Sequence, residues 1–281
     1  MQQPHKYLVD GVVTEVNSMP NGYNSRGFLY ADGFFETLRI IDGKIPLLDL
    51  HFGRITDSLA AYKLESPDSL HQPELESSIL KFAASLGLEN YGRVRMTVYR
   101  SGNGKYLPQS NTASWLATIE RPSTDKFELN EKGLSIGIFE EFSKTVDKFS
   151  NFKNLNCQIS IQASIFAQEK KFSDVLVLNS NREIIESTYS NVFLVKDGAL
   201  YTPKLSAGPV GGVMRAAVIN LAIELGVKVY ECNLHAQELL KADEVFLTNA
   251  ISGIKWVASF RTKRYFNNTA NTLLKAFNAR I

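Results

Sequence analysis

The sequence predicts an α/β (α+β) protein in two domains, residues 1–122 and 123–281, and three observations carry that prediction. Short strand-like runs alternate with amphipathic stretches through the first 120 residues. A polar segment containing Pro and Gly then breaks the pattern at 121–133. Beyond it, β-rich runs joined by turn residues lead into a helix that starts at paired glycines.

In the first domain the runs at 7–11, 34–41, 93–101 and 114–120 are rich in aromatic and β-branched residues, which favour a pleated, half-buried surface. Residues 49–62 and 73–87 space their apolar side chains three and four apart, so each is expected to form a helix with one buried face. The segment 121–133 is the expected linker. In the second domain, 155–170 again has helical spacing and runs into Lys170 and Lys171, charges that suit a helix C-terminus; Lys153 stands just before it. The runs 175–187 and 191–203 turn at Asn179–Asn181 and at Asp197-Gly198, predicting a meander. Gly211-Gly212 opens a helix that stops near Gly226, and 267–281 reads as a closing helix with Asn as its cap.

Composition bounds the function. Hydrophobic residues make up 44% of the chain without an apolar run long enough to span a bilayer. Lys and Arg number 31 against 29 acidic residues, so a net charge of +2 supplies no electrostatic reason to expect nucleic acid or a membrane as partner. The first residues lack a cationic stretch followed by an apolar core, and Cys157 and Cys232 are the two cysteines; a cytoplasmic location is expected. Histidines 5, 51, 71 and 235 are scattered and no metal-ligand spacing occurs, so no metal site is expected.

Four places carry side chains suited to chemistry. Lys153 lies among Phe149, Phe152 and Leu155, and an amine attacks a carbonyl only when burial or a neighbouring charge lowers its pKa; alone, it reads more readily as a surface lysine before a helix than as a catalytic one. Glu186 closes an apolar strand, where a carboxylate needs a cation, either a protonated ring nitrogen or a nearby Arg or Lys. Gly208, Gly211 and Gly212 let backbone approach a ligand, and the helix starting near Val213 presents N–H groups and a positive dipole end to an anion such as phosphate. Thr248, Asn249 and Arg54 add a hydroxyl, further N–H donors and a guanidinium, each with a plainer reading as turn or helix surface.

Taken in order, residues 30–55 (YADGFFETLRIIDGKIPLLDLHFGRI), K-x-L-N from Lys153, E-x-x-x-S-N from Glu186 to Asn191, G-x-M-R at 212–215 and A-D-E-x-x-x-x-N at 242–249 resemble the class IV aminotransferase family over nearly the whole chain. The resemblance implies a two-domain fold type IV enzyme dependent on pyridoxal 5'-phosphate, acting on a small-molecule amine as a homodimer. It implies that Lys153 forms the imine with the cofactor and moves the proton at the reacting carbon, and that Glu186 pairs with the pyridine nitrogen. Arg54, Asn191, Val213, Met214, Thr248 and Asn249 fall at cofactor-binding positions, and Tyr30 and Phe35 at substrate-facing ones.

Departures bear on the reaction. Branched-chain aminotransferases carry a tyrosine shortly after the lysine, where this chain has Cys157, and aminotransferase branches tend to carry a threonine where it has Ala250. Both, with the loop RSGNGKY (100–106), look like the aminodeoxychorismate lyase branch. Glu36 points the other way, since some lyases carry threonine there. The expected activity is therefore release of 4-aminobenzoate and pyruvate from 4-amino-4-deoxychorismate, with Arg95, Arg100 and Lys105 as the cations for its two carboxylates; the alternative is transamination of D-amino or branched-chain amino acids.

Overall fold

The computed structural model describes residues 5–16 and 24–281. Contacts divide the chain into one unit of Met1–Asp125 with Phe152–Asn156 and another of Lys126–Asn151 with Cys157–Ile281. The short segment around Lys153, expected at the head of the second domain, groups with the first unit because its backbone bonds to the start of a strand there. Phe35 N donates to Lys153 O at 2.8 Å and Leu155 N to Gly33 O at 3.2 Å.

Among the described residues the first unit holds β1 (His5–Val9), β2 (Val12–Val16), α1 (Arg26–Tyr30), β3 (Gly33–Ile41), α2 (Leu48–Tyr62), α3 (Gln72–Ser85), β4 (Tyr91–Arg100) and β5 (Ala113–Glu120). The strands form one sheet in the order β2-β1-β5-β4-β3, every neighbour antiparallel. This is the α+β form of the expected class. Alternation along β3 and β4 sends Phe34, Leu38, Val94, Met96 and Val98 into a core with Ile55 and Leu59 of α2 and Leu75, Ile79 and Phe82 of α3. Phe35, Thr37, Arg95 and Thr97 are only partly covered, as the other face of an alternating pair requires. Tyr30 is the last residue of α1, which the left-handed Ala31 ends at φ 51°.

The second unit holds β6 (Leu134–Lys144), α4 (Gln158–Glu169), β7 (Asp174–Asn179), β8 (Ile184–Ser187), β9 (Asn191–Lys196), β10 (Ala199–Pro203), α5 (Val213–Glu224), β11 (Val229–Cys232), α6 (Ala236–Lys241), β12 (Glu244–Asn249), β13 (Gly253–Phe260), β14 (Lys263–Arg264) and α7 (Asn268–Asn278). Its mixed sheet runs β11-β10-β9-β12-β13-β6-β7-β8, with β14 on β13. Two hairpins, β7–β8 and β9–β10, replace the single meander expected, because β12 takes the place beside β9 and β8 falls at the far edge. The β9–β10 turn is the Asp197-Gly198 pair, both left-handed at φ 51° and 74°. Gly226, at φ 75°, ends the α5 segment as expected by donating its N–H to Ile223 O. At α7 the expected Asn stands at the cap as Asn267, but its side chain makes no cap bond. Glu244 at the start of β12 supplies the cap instead, its carboxylate accepting from Thr269 N at 2.8 Å and Ala270 N at 3.2 Å.

Candidate active site

In the second unit the cofactor-site candidates converge on the loop before α5. The β9–β12 register sets Asn191 opposite Thr248, so one amide and one hydroxyl share a face at the ends of two neighbouring strands. Asn191 Nδ2 donates to Val210 O at 2.7 Å, while Val210 N donates to Glu186 Oε2 at 2.7 Å; one residue of the loop is thereby held from both sides. Asn151 fastens the same loop, donating from Nδ2 to Leu205 O at 2.9 Å and Pro209 O at 2.7 Å and accepting from Gly211 N at 2.9 Å. Gly212 caps α5, and a Cβ there would lie 1.9 Å from Asn191 Oδ1, so any other residue would displace the Asn191 amide that holds Val210.

These residues fit a phosphate. No side chain caps α5, and the first N–H groups of a helix, here from Val213 and Met214, have no intrahelical partner. Thr248 Oγ1 is buried without a hydrogen-bond partner in a residue only 1% exposed, a donor that protein atoms leave unused. Asn249 differs: its Oδ1 accepts from Ile251 N and Ser252 N and its Nδ2 donates to Ser190 Oγ, so its side chain is spent on the turn after β12. Thr248→Val, which removes the hydroxyl and keeps the shape, is expected to leave the melting temperature of the cofactor-free protein unchanged or slightly higher, an unsatisfied buried group costing about 1–3 kcal/mol. Affinity for a phosphate-bearing ligand should fall roughly tenfold, the worth of one hydrogen bond to a charged group. Calorimetric titration beside a thermal melt checks both; a lower melting temperature with unchanged affinity would refute the assignment.

Glu186 finds its cation within the protein. Lys144 Nζ donates to Glu186 Oε1 at 2.7 Å, which is the plainer of the two expected partners, a nearby lysine. Asp174 fixes the turn that follows β8, its Oδ1 accepting from Thr188 N and Thr188 Oγ1; burial pushes the Asp174 carboxyl up.

In the first unit, Lys153 Nζ stands 4.3 Å from the centroid of the Phe35 ring and Arg95 Cζ 4.1 Å, so one aromatic face system meets both cations. Arg54 on α2 reaches Glu36, donating from Nε to Oε1 and from Nη2 to Oε2, both at 2.7 Å, and His51 Nδ1 lies 2.8 Å from the same Oε2. Burial works to raise the Glu36 carboxyl, but the Arg54 charge and the bonds from His51 and Arg54 outweigh it and hold the group down at about 2.

Arg100 does not meet the expectation of a substrate cation. Only 7% exposed, it donates to Asp32 Oδ2, Lys63 O, Asn111 Oδ1 and Tyr62 O, which occupies its guanidinium in fastening the end of β4. A residue absent from the sequence reading, Arg26, shares Asp32 Oδ2 and donates to the carbonyls of Gly104 and Lys105 at 2.9 and 2.7 Å. It thereby holds the 100–106 loop through its backbone, with Tyr30 and Tyr106 in ring contact at 6.0 Å. Asp32 lies inside the quoted 30–55 motif and was the available signal; Lys144, Asn151 and Arg26 had none, since their partners are distant in sequence.

Residues 33–260 match the family described as Amino-transferase class IV. The aminodeoxychorismate lyase of Vibrio harveyi is 26% identical over 245 residues, covering 85% of this chain and 88% of that protein. A putative branched-chain-amino-acid aminotransferase of Methanocaldococcus jannaschii is 30% identical over 230 residues, covering 81% and 78%. Among solved structures, the branched-chain aminotransferase of Thermoproteus uzoniensis with norvaline superposes at a TM-score of 0.86 with 21% identity, covering 98% of this chain and 93% of that one. The chain therefore belongs to the class IV aminotransferase family and has its fold type IV architecture, that of enzymes that use pyridoxal 5'-phosphate.

Proposed function

We propose that this enzyme is a 4-amino-4-deoxychorismate lyase, and the observation that carries the reading is the pair Cys157 and Ala250. Cys157, at the cap of α4, stands near where branched-chain aminotransferases carry tyrosine, and Ala250, in the turn after β12, where aminotransferases tend to carry threonine. The V. harveyi lyase, similar over most of both chains, supports it.

Bound pyridoxal phosphate supplies an aldehyde that takes up amines and a ring that draws electrons from the reacting carbon. Arg54, the N–H groups of Val213 and Met214, the backbone at Asn249 and the Thr248 hydroxyl would hold the phosphate, Asn191 would keep the loop at 210 in place, and Glu186 would serve as the acceptor for the ring nitrogen. Lys153 would take the proton from the amine-bearing carbon of the substrate. The C–O bond to the enolpyruvyl group then breaks, the six-membered ring becomes aromatic, and the released enol takes a proton at its methylene to become pyruvate. Arg95 and Lys105 are the cations proposed for the substrate carboxylates, with Tyr30 and Phe35 beside them.

A second reading, aminotransferase, is favoured by Glu36 and by the 30% identity to the M. jannaschii protein. Counting turnovers separates the two. With 4-amino-4-deoxychorismate and no keto acid, a lyase should release pyruvate over many turnovers. An aminotransferase stops after one half-reaction. Release of no pyruvate, with the bound cofactor's visible absorption bleached by D-alanine, leucine or glutamate, would overturn the lyase reading.

We also propose a homodimer in the cytoplasm. Phe28, Leu29, Tyr30, Tyr106 and Leu107 are exposed in the first unit, Tyr106 and Leu107 at 92% and 84%, and apolar surface of this kind favours a protein partner. No helix among the described residues is long and apolar enough to cross a membrane.

A further inference from the structure

Lys144 is the last residue of β6, and an irregular register brings it to Glu186. Phe139 pairs with Val177 and Lys144 with Asn179, so five residues of β6 advance against two of β7. Glu186 on β8 pairs with Val177 across the other side of β7. Val177 and Asn179 are two apart and share a face, and residues opposite them in the ladder share it too. The ammonium and the carboxylate therefore flank one strand on one side of the sheet.

The ammonium has a second tie. Lys144 Nζ also donates to Ser150 O at 3.1 Å, and Ser150 is itself buried, its Oγ accepting from Asp147 N at 2.8 Å. With Val210 N on Oε2, both oxygens of Glu186 are fixed by donors from different segments, and each oxygen keeps a further lone pair. A carboxylate that must accept a proton-bearing ring nitrogen works as an anion; an ammonium in contact with one oxygen favours the anion of any carboxylic acid and disfavours transfer of the shared proton to it.

We propose that Lys144 is a positioning residue for the reaction: it orients Glu186 and keeps the proton of the Glu186–pyridine pair on the ring nitrogen. This rests on the reading of Glu186 as the pyridine partner, and the experiment separates the two. Holoenzyme is prepared with cofactor labelled with 15N in the ring for wild type, Lys144→Met, Lys144→Arg and Glu186→Gln, and the nitrogen chemical shift is read beside steady-state kinetics. Wild type and Lys144→Arg should give a protonated nitrogen. Lys144→Met should move the signal toward the unprotonated position and lower kcat roughly ten- to a hundredfold, the usual range for a supporting partner, with KM little changed. A wild-type shift in Lys144→Met would overturn the proposal. A wild-type shift in Glu186→Gln would overturn the reading beneath it. Should Lys144→Met lose its far-ultraviolet circular dichroism, Lys144→Gln, which retains a donor for Ser150 O, carries the same two outcomes.

Discussion

Lys153→Ala is expected to abolish covalent attachment of pyridoxal phosphate and to lower turnover by about 10⁴-fold or more, since the change removes the nucleophile and the proton-transfer group together. The protein should still fold. The backbone bonds that set 153–155 against β3 run through Lys153 O and Leu155 N, and neither needs the side chain. Borohydride reduction followed by peptide mapping identifies the attachment point. A pyridoxyl group on Lys144, Lys170 or Lys171 would reject the assignment, and so would a Lys153→Ala protein that keeps its visible absorption.

Glu36→Ala carries the second large effect, here on stability. It leaves Arg54 and His51 facing a buried hole, and breaking a buried ion pair from one side costs about 3–5 kcal/mol. The pH dependence has a definite sign. The carboxyl is held down at about 2 from an ordinary 4.5, so its contribution is present above 4.5 and fades as pH falls toward 2. At about 1.4 kcal/mol per unit the contribution is on the order of 3 kcal/mol. Glu36→Gln should therefore flatten the fall in melting temperature between pH 4.5 and 2. With Arg54 as the phosphate ligand proposed above, it should also weaken cofactor binding, because the carboxylate that fixes Arg54 loses its charge. An unchanged acid limb would show that another carboxylate dominates it.

The elements with strong periodic signals were legible in sequence. The stretches 49–62 and 73–87 became α2 and α3, and the Asp197-Gly198 turn and the Gly212 helix start stand where their local chemistry requires. β2 was missed although Asp10-Gly11, at φ 47° and 88°, is the same turn signal, here after the short run at 7–9. α1, with five residues, is too short to show a period. What sequence withholds is pairing at a distance. That β12 enters beside β9, that Arg100 is enclosed by Asp32, Asn111 and two carbonyls, and that Lys144 meets Glu186 across a strand all depend on register. The Gly212 start of α5, proposed as part of a phosphate site, was readable because it is local backbone and glycine; the surroundings of Glu186 were not.

β12 has a consequence in time. It begins at Glu244, which caps α7, and ends at Thr248, and it pairs on one side with β9, about fifty residues earlier. During synthesis the α5 end of the cradle leaves the ribosome well before the hydroxyl that completes it. Contacts so far apart in sequence form slowly, since the intervening chain must be closed into a loop first. If Thr248 completes the proposed phosphate site, a nascent chain stalled before residue 244 should carry most of the motifs and still fail to retain the cofactor, which a release assay on stalled chains would check.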